Sequence, residues 1–120
     1  MSESDAQARV RLLASRDGAR LWRNNCGAGV LQNGSFVRWG LANESHAMNT
    51  RIKSGDLIGL APVIITPAHV GQLFGRFVSR EVKRPGWAYK GTDRERAQKA
   101  WADLINSLGG DAKFTTGEWE

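Results

Sequence analysis

A chain of 120 residues has room for one compact domain with a single core and is too short for two independently stable ones. A formal charge of +5 marks a surface attracted to polyanions, which favours nucleic acid without separating DNA from RNA or an anionic membrane. Cys26 is the single cysteine, so an internal disulfide and a multi-cysteine zinc site are excluded, and any metal must be held by oxygen or histidine. No run of about 18 apolar residues is present, and the polar start lacks a basic segment followed by an apolar one; the expectation is a soluble, cytoplasmic protein without membrane contact.

In chain order, Ser4-Asp5-Ala6-Gln7 has the form of a capping box, with Glu3, Ala6, Val10 and Leu13 at helical spacing, and predicts a helix to about Arg16, ended by Gly18. Ala19 to Cys26 reads as a strand. Val30 to Val37 carries Asn33-Gly34 and predicts a tight hairpin turn. From Ala42 to Gly55 the chain is polar and aperiodic, the pattern of a flexible loop. Asp56 to Ile65 and Leu73 to Lys83 are strand-like on either side of a break at Thr66–Gly71, which predicts a second, larger hairpin. Thr92-Asp93-Arg94-Glu95 is another capping box, opening a helix with Ala97, Trp101, Leu104, Ile105 and Leu108 on its apolar stripe and Gly109-Gly110 at its end. Ala112 to Thr115 is a last short strand, and Gly117 to Glu120 a frayed tail. The order is that of an α/β domain, a small mixed β-sheet flanked by two helices.

On a strand, alternate residues share a face, so Glu81 and Lys83 project together while Val82 turns to the core. Asp56, at the start of the partner strand, is expected to reach the same face. Two carboxylates so placed repel unless a cation lies between them, and hard oxygen ligands favour Mg²⁺ or Mn²⁺, with the backbone carbonyl of Val82 as a further ligand. Such an ion polarises a phosphoryl oxygen and offsets the charge that grows on phosphorus; Lys83 then orients or deprotonates the attacking water.

An acid-x-Lys triplet alone is a weak signal, and an exposed cross-strand ion pair is its plain structural alternative. The weight comes from its company. Leu21 to Gly27, Phe36 to Leu41, Ser54 to Gly59 and Arg76 to Lys83, followed by Gln98 on a helix, together resemble the VRR-NUC (virus-type replication-repair nuclease) family of the PD-(D/E)XK superfamily, from Glu3 to about Thr115. The resemblance implies a restriction-endonuclease-like core, Asp56 and Glu81 as metal ligands, Lys83 as the catalytic lysine, and Gln98 and Glu3 as residues reaching the site from the two helices. It further implies endonuclease activity on branched DNA, Holliday junctions or flaps, in replication, recombination or repair, in a bacterial cell or phage-infected host. Arg80 departs from the pattern, because an apolar residue more often precedes the Glu of this motif.

Arg23, Asn24, Arg51, Lys53, Arg84, Trp87 and Lys90 are the candidates for nucleic-acid contact, Trp87 by stacking on a base. Polar groups in Arg23 and Asn24 equally suit local backbone partners, and Cys26 suits a small buried position. A single site cuts one strand, so symmetric cleavage of a junction requires a homodimer. The alternatives are a non-catalytic basic nucleic-acid-binding module and a phosphoryl-processing enzyme acting on nucleotides.

Overall fold

The computed structural model describes residues 2–119. Helix α1 (Glu3–Arg16) is followed by strands β1 (Arg20–Arg23), β2 (Gly27–Val30) and β3 (Phe36–Trp39), helix α2 (His46–Arg51), strand β4 (Leu57–Leu60), a 3-10 turn (Pro67–His69), strand β5 (Val78–Val82), helix α3 (Asp93–Ser107) and strand β6 (Asp111–Thr115). The class is α/β, but in place of one mixed sheet the described strands form three two-stranded sheets, β1-β4, β2-β3 and β5-β6. The chain divides into two compact units, Met1–Gly59 and Leu60–Glu120. None of the described helices is long and apolar enough to cross a membrane.

In the first unit, α1 is capped two residues earlier than its sequence suggests. The Ser2 hydroxyl accepts from the Asp5 amide and the Asp5 carboxylate accepts from the Ser2 amide, each at 3.1 Å, satisfying donors that a helix start leaves open. The strand expected over Ala19–Cys26 is interrupted after Arg23, and the chain resumes as β2 from Gly27. β2 and β3 pair antiparallel from Gly27↔Trp39 to Val30↔Phe36. Their hairpin is closed at Asn33-Gly34 as expected: the Gly34 amide returns to the Leu31 carbonyl at 2.9 Å, and Gly34 takes the left-handed conformation (φ 88°) that a three-residue loop needs. A side chain at Gly59 would lie 1.8 Å from the Arg20 carbonyl oxygen, so glycine is what lets β4 approach β1.

The polar stretch read as a flexible loop contains α2. Ser45 caps it, its hydroxyl accepting from the Met48 amide at 3.1 Å. A helix this short has no apolar stripe to betray it, and its start depends on the cap instead.

The second unit also departs from the expected hairpin. β5 begins at Val78 rather than Leu73, which is 99% exposed, and it pairs in parallel with β6 through the register Val78↔Asp111 to Val82↔Thr115. Parallel strands cannot be joined by a tight turn and need a crossover, which α3 supplies. Thr92 and Glu95 cap α3 reciprocally, as the sequence predicts. Ile105, fully buried, and Ala112 are the apolar centre between α3 and β6, and a Cβ on Gly110 would meet Ile105 Cγ2 at 2.5 Å. Val82 does not turn inward: it is 66% exposed, because the face of β5 that meets α3 is the polar one, with Ser79 and Glu81. On the opposite face Arg80 replaces the usual apolar packing, binding the Asp111 carboxylate at 2.8 Å, the Trp119 carbonyl at 3.1 Å and the face of the Trp119 ring. The tail is accordingly tied down through residue 119, with Thr115 Oγ1 accepting from the Glu118 amide at 2.9 Å; Glu120 lies outside the described residues.

Ile105→Ala is expected to destabilise the protein by about 2–5 kcal/mol, since it removes the most buried side chain and leaves a cavity beside Ala112. Denaturant unfolding measures this, and an effect near zero would mean that α3 is not held by that contact.

Candidate functional site

Alternation along β5 brings Glu81 and Lys83 to one face, and the Lys83 amide, donating to the Thr115 carbonyl at 2.8 Å, prolongs the ladder one residue past the strand. Gln98, on the second turn of α3, bridges the two. Its Nε2 donates to Glu81 Oε1 at 2.7 Å and its Oε1 accepts from Lys83 Nζ at 2.8 Å, while the ammonium lies 3.6 Å from that same Glu81 oxygen. Both hydrogen bonds involve an ionised partner, so they are shorter and stronger than neutral ones. The lysine side chain is only 17% exposed, whereas that of the glutamate is 42% exposed and open to a ligand. A cavity of about 450 Å³ adjoins Glu81 and Gln98 and is walled further by Ser79, Ala97, Trp101 and Phe114.

The lysine rests on an aromatic floor. Its ammonium lies 5.7 Å from the Trp87 ring centroid and 5.8 Å from that of Phe114, and these two rings stack at 4.9 Å. Trp87 is placed by the turn at Gly86 and anchored through its indole N–H, which donates to Glu95 Oε2 at 2.8 Å. Glu95, 6% exposed, also accepts from the amides of Lys90 and Thr92. The Thr92 amide in particular holds this carboxyl below the ordinary carboxylate value against the opposing effect of burial, and the Lys90 amide, the Trp87 indole and the Thr92 hydroxyl add to it. One carboxylate thus caps a helix, fixes a turn and positions the ring beneath Lys83. Trp87 is in this way engaged within its own unit, while Arg84 and Lys90 on either side of it are exposed.

The other candidates belong to the first unit. Asp56 is exposed just ahead of β4, and its carbonyl accepts from the Asn24 amide at 2.8 Å. The Asn24 side chain holds the preceding turn, donating to Ser54 Oγ at 2.6 Å and the Gly55 carbonyl at 2.9 Å and accepting from the Leu41 amide at 3.4 Å. Its amide thus positions Asp56, the local-backbone role weighed for it. Glu3, Arg23 and Arg51 are exposed at the start of α1, the end of β1 and the end of α2. Lys53 binds Asn49 through both its carbonyl and side-chain oxygens. Cys26, expected to be buried, is exposed beside Ser54, 3.2 Å from its hydroxyl. The structure therefore brings together Glu81, Lys83 and Gln98. The hairpin expected to carry Asp56 to Glu81 does not form, since β4 pairs with β1.

Glu95 and Phe114 were not legible as neighbours of the site, whereas Trp101, expected on the inward stripe of the helix, donates its indole N–H to Ser79 Oγ at 2.9 Å. The capping box at Thr92 announced the Glu95 side chain but not its reach back to Trp87. No family model, curated protein or solved structure matches this chain.

Because the folded Glu95 carboxyl lies below its ordinary 4.5, it contributes stability that is fully present above that value and is lost as pH falls through the depressed one. Asp111, lowered chiefly by its hydrogen bond from Arg80, acts in the same direction below 3.8. Thermal midpoints of the wild type should fall on acidification through this range, and Glu95→Gln should fall less steeply from a lower starting point. Equal slopes would show that Glu95 is not a source of the acid sensitivity.

Proposed function

We propose that the chain is a metal-dependent endonuclease hydrolysing DNA phosphodiester bonds, built on a restriction-endonuclease-like core. Glu81 is a metal-binding carboxylate, with Asp56 the second one that the resemblance implies, Lys83 is its catalytic lysine, and Gln98 is the helix residue that orients Lys83 and Glu81. The observation that carries the proposal is the bridge made by Gln98. Two residues apart on a strand, an acid and an amine are held at fixed separation by an amide from the crossover helix, and the motif order resembles that of the VRR-NUC family.

The chemistry of the donors suits a hard cation. Gln98 and Lys83 engage only Oε1 of Glu81, which leaves Oε2 and nearby backbone carbonyls, that of Val82 among them, as oxygen ligands. Among the described residues no three or more His, Cys, Asp or Glu side chains gather. Mg²⁺ asks for fewer, since one or two carboxylates with waters and substrate oxygens complete its shell. The chemistry supplied by bound Mg²⁺ or Mn²⁺ is polarisation of the phosphoryl group and compensation of its growing charge. Lys83 Nζ is held on the Glu81 side of the strand, where it donates to an attacking water or a phosphate oxygen. Gln98 keeps that ammonium from collapsing onto the carboxylate. The net positive charge favours the polymer as substrate, the family likeness suggests branched DNA, and symmetric cleavage of a junction by an enzyme with one site asks for a homodimer.

One feature favours a second reading, a basic nucleic-acid-binding module without activity: Glu81, Gln98 and Lys83 satisfy one another, as a purely structural network would.

Supercoiled plasmid and synthetic four-way junctions, incubated with and without Mg²⁺ or Mn²⁺, separate the two. The expected outcome is cutting that requires the ion and that falls by at least about 100-fold in Asp56→Ala and Lys83→Ala with DNA binding retained. Cutting that persists in the variants would refute these residue roles. Binding without cutting by the wild type would favour the inactive module, and hydrolysis of nucleotides with polymer untouched would favour a nucleotide phosphohydrolase.

A further inference from the structure

A second cavity, of about 360 Å³, lies wholly within the first unit and is lined by Cys26, Gly27, Arg38, Asn43, Lys53 and Ser54, among others. Two cations line it and no carboxylate does. Among the described residues neither cation is in an ion pair: Arg38 donates to the Asn43 side-chain oxygen at 3.2 Å, and Lys53 donates to Asn49. Neutral amide oxygens orient these groups without cancelling their charge.

The cavity is held by one buried side chain. Asn43 is 4% exposed, and its Nδ2 donates to the carbonyls of Gly27 and Trp39 at 2.8 Å each, so its oxygen is presented to Arg38 from a fixed base. Arg38 stands on β3 opposite Ala28 of β2, so a small residue lies across the strand pair from the guanidinium. The Ser54 hydroxyl is fixed by donating to the Leu41 carbonyl at 2.7 Å. Lys53 closes the C-terminal end of α2 on Asn49, which accounts for its hydrogen bonds but not for the absence of a counter-charge from the cavity it shares with Arg38.

From this arrangement we infer that the cavity is a phosphate-binding site, and that its occupant is a backbone phosphate of a nucleic acid. Arg38 and Lys53 recognise the oxyanion, the first through its planar fork of N–H donors and the second as a point charge. A space of this volume exceeds what one tetrahedral oxyanion fills and leaves room for the flanking sugars, which favours a polymer over free phosphate. Such a site fixes the position of the strand on the protein and is indifferent to base sequence. It uses none of Glu81, Lys83 and Gln98, so it stands or falls apart from the nuclease proposal.

Cys26 supplies the readout, because it is the only cysteine of the chain, is exposed and lines the cavity. Its rate of alkylation by iodoacetamide, a neutral reagent, is measured without metal at rising concentrations of inorganic phosphate and of a short single-stranded oligonucleotide. Both should slow the reaction, the oligonucleotide at the lower concentration, and both effects should be lost in Arg38→Gln and Lys53→Gln. Circular dichroism identifies a variant that fails to fold; Lys53→Gln, at an exposed position, tests the site if Arg38→Gln is such a variant. In parallel, each variant should lower the slope of log affinity for DNA against log salt by about 1. Protection by phosphate but not by the oligonucleotide would overturn the assignment to a polymer. An alkylation rate indifferent to both ligands, or protection unchanged in the variants, would overturn the site.

Discussion

Parallel pairing of β5 with β6 is the constraint from which the rest of the second unit follows. Strands that run the same way must be joined across the sheet, so the residues between them are obliged to climb over one face, and they do so as α3. That helix carries Gln98 above β5, Trp101 above Ser79 and Ile105 against the strand that follows. The short chain leaves little apolar area to hold the helix down, and polar contacts share the task. Three of them, from Gln98, Trp101 and Glu95, end on β5 or on the turn after it.

Those contacts give the Glu81 and Lys83 face its character. An ammonium left on a sheet face would ordinarily extend into water; here it is bounded by two aromatic rings below and an amide beside it, and only one oxygen of the neighbouring carboxylate is engaged. Confinement of this kind limits the positions that the amine can take, a prerequisite for any role in proton transfer or phosphate binding.

Amide side chains organise the first unit in a comparable way. Asn24 ties the end of β1 to the turn that presents Asp56, and Asn43 ties the β2-β3 pair to the guanidinium of Arg38. Each offers a donor and an acceptor at once, so a single side chain satisfies backbone groups in a loop too short to pair with a strand. The acidic and basic residues of interest in this unit are thereby held by neutral groups.

The amino-acid sequence alone determined what depends on neighbours in the chain: the capping box of α3, the left-handed glycine of the β2-β3 hairpin, and the alternation that sets Glu81 beside Lys83. It also placed Gln98 near the start of the helix that the Thr92 cap opens, which is likewise local. It misled wherever the partner was distant. Val82 reads as a core residue by type, yet the polar face of β5 is the one α3 covers, because Gln98 and Trp101 offer hydrogen bonds there and Arg80 finds Asp111 and Trp119 on the other side. Which strand β4 joins, and how far a capping glutamate reaches, likewise depend on chain segments brought near only by folding. Periodicity records the face a residue occupies; the tertiary structure alone decides what lies against that face.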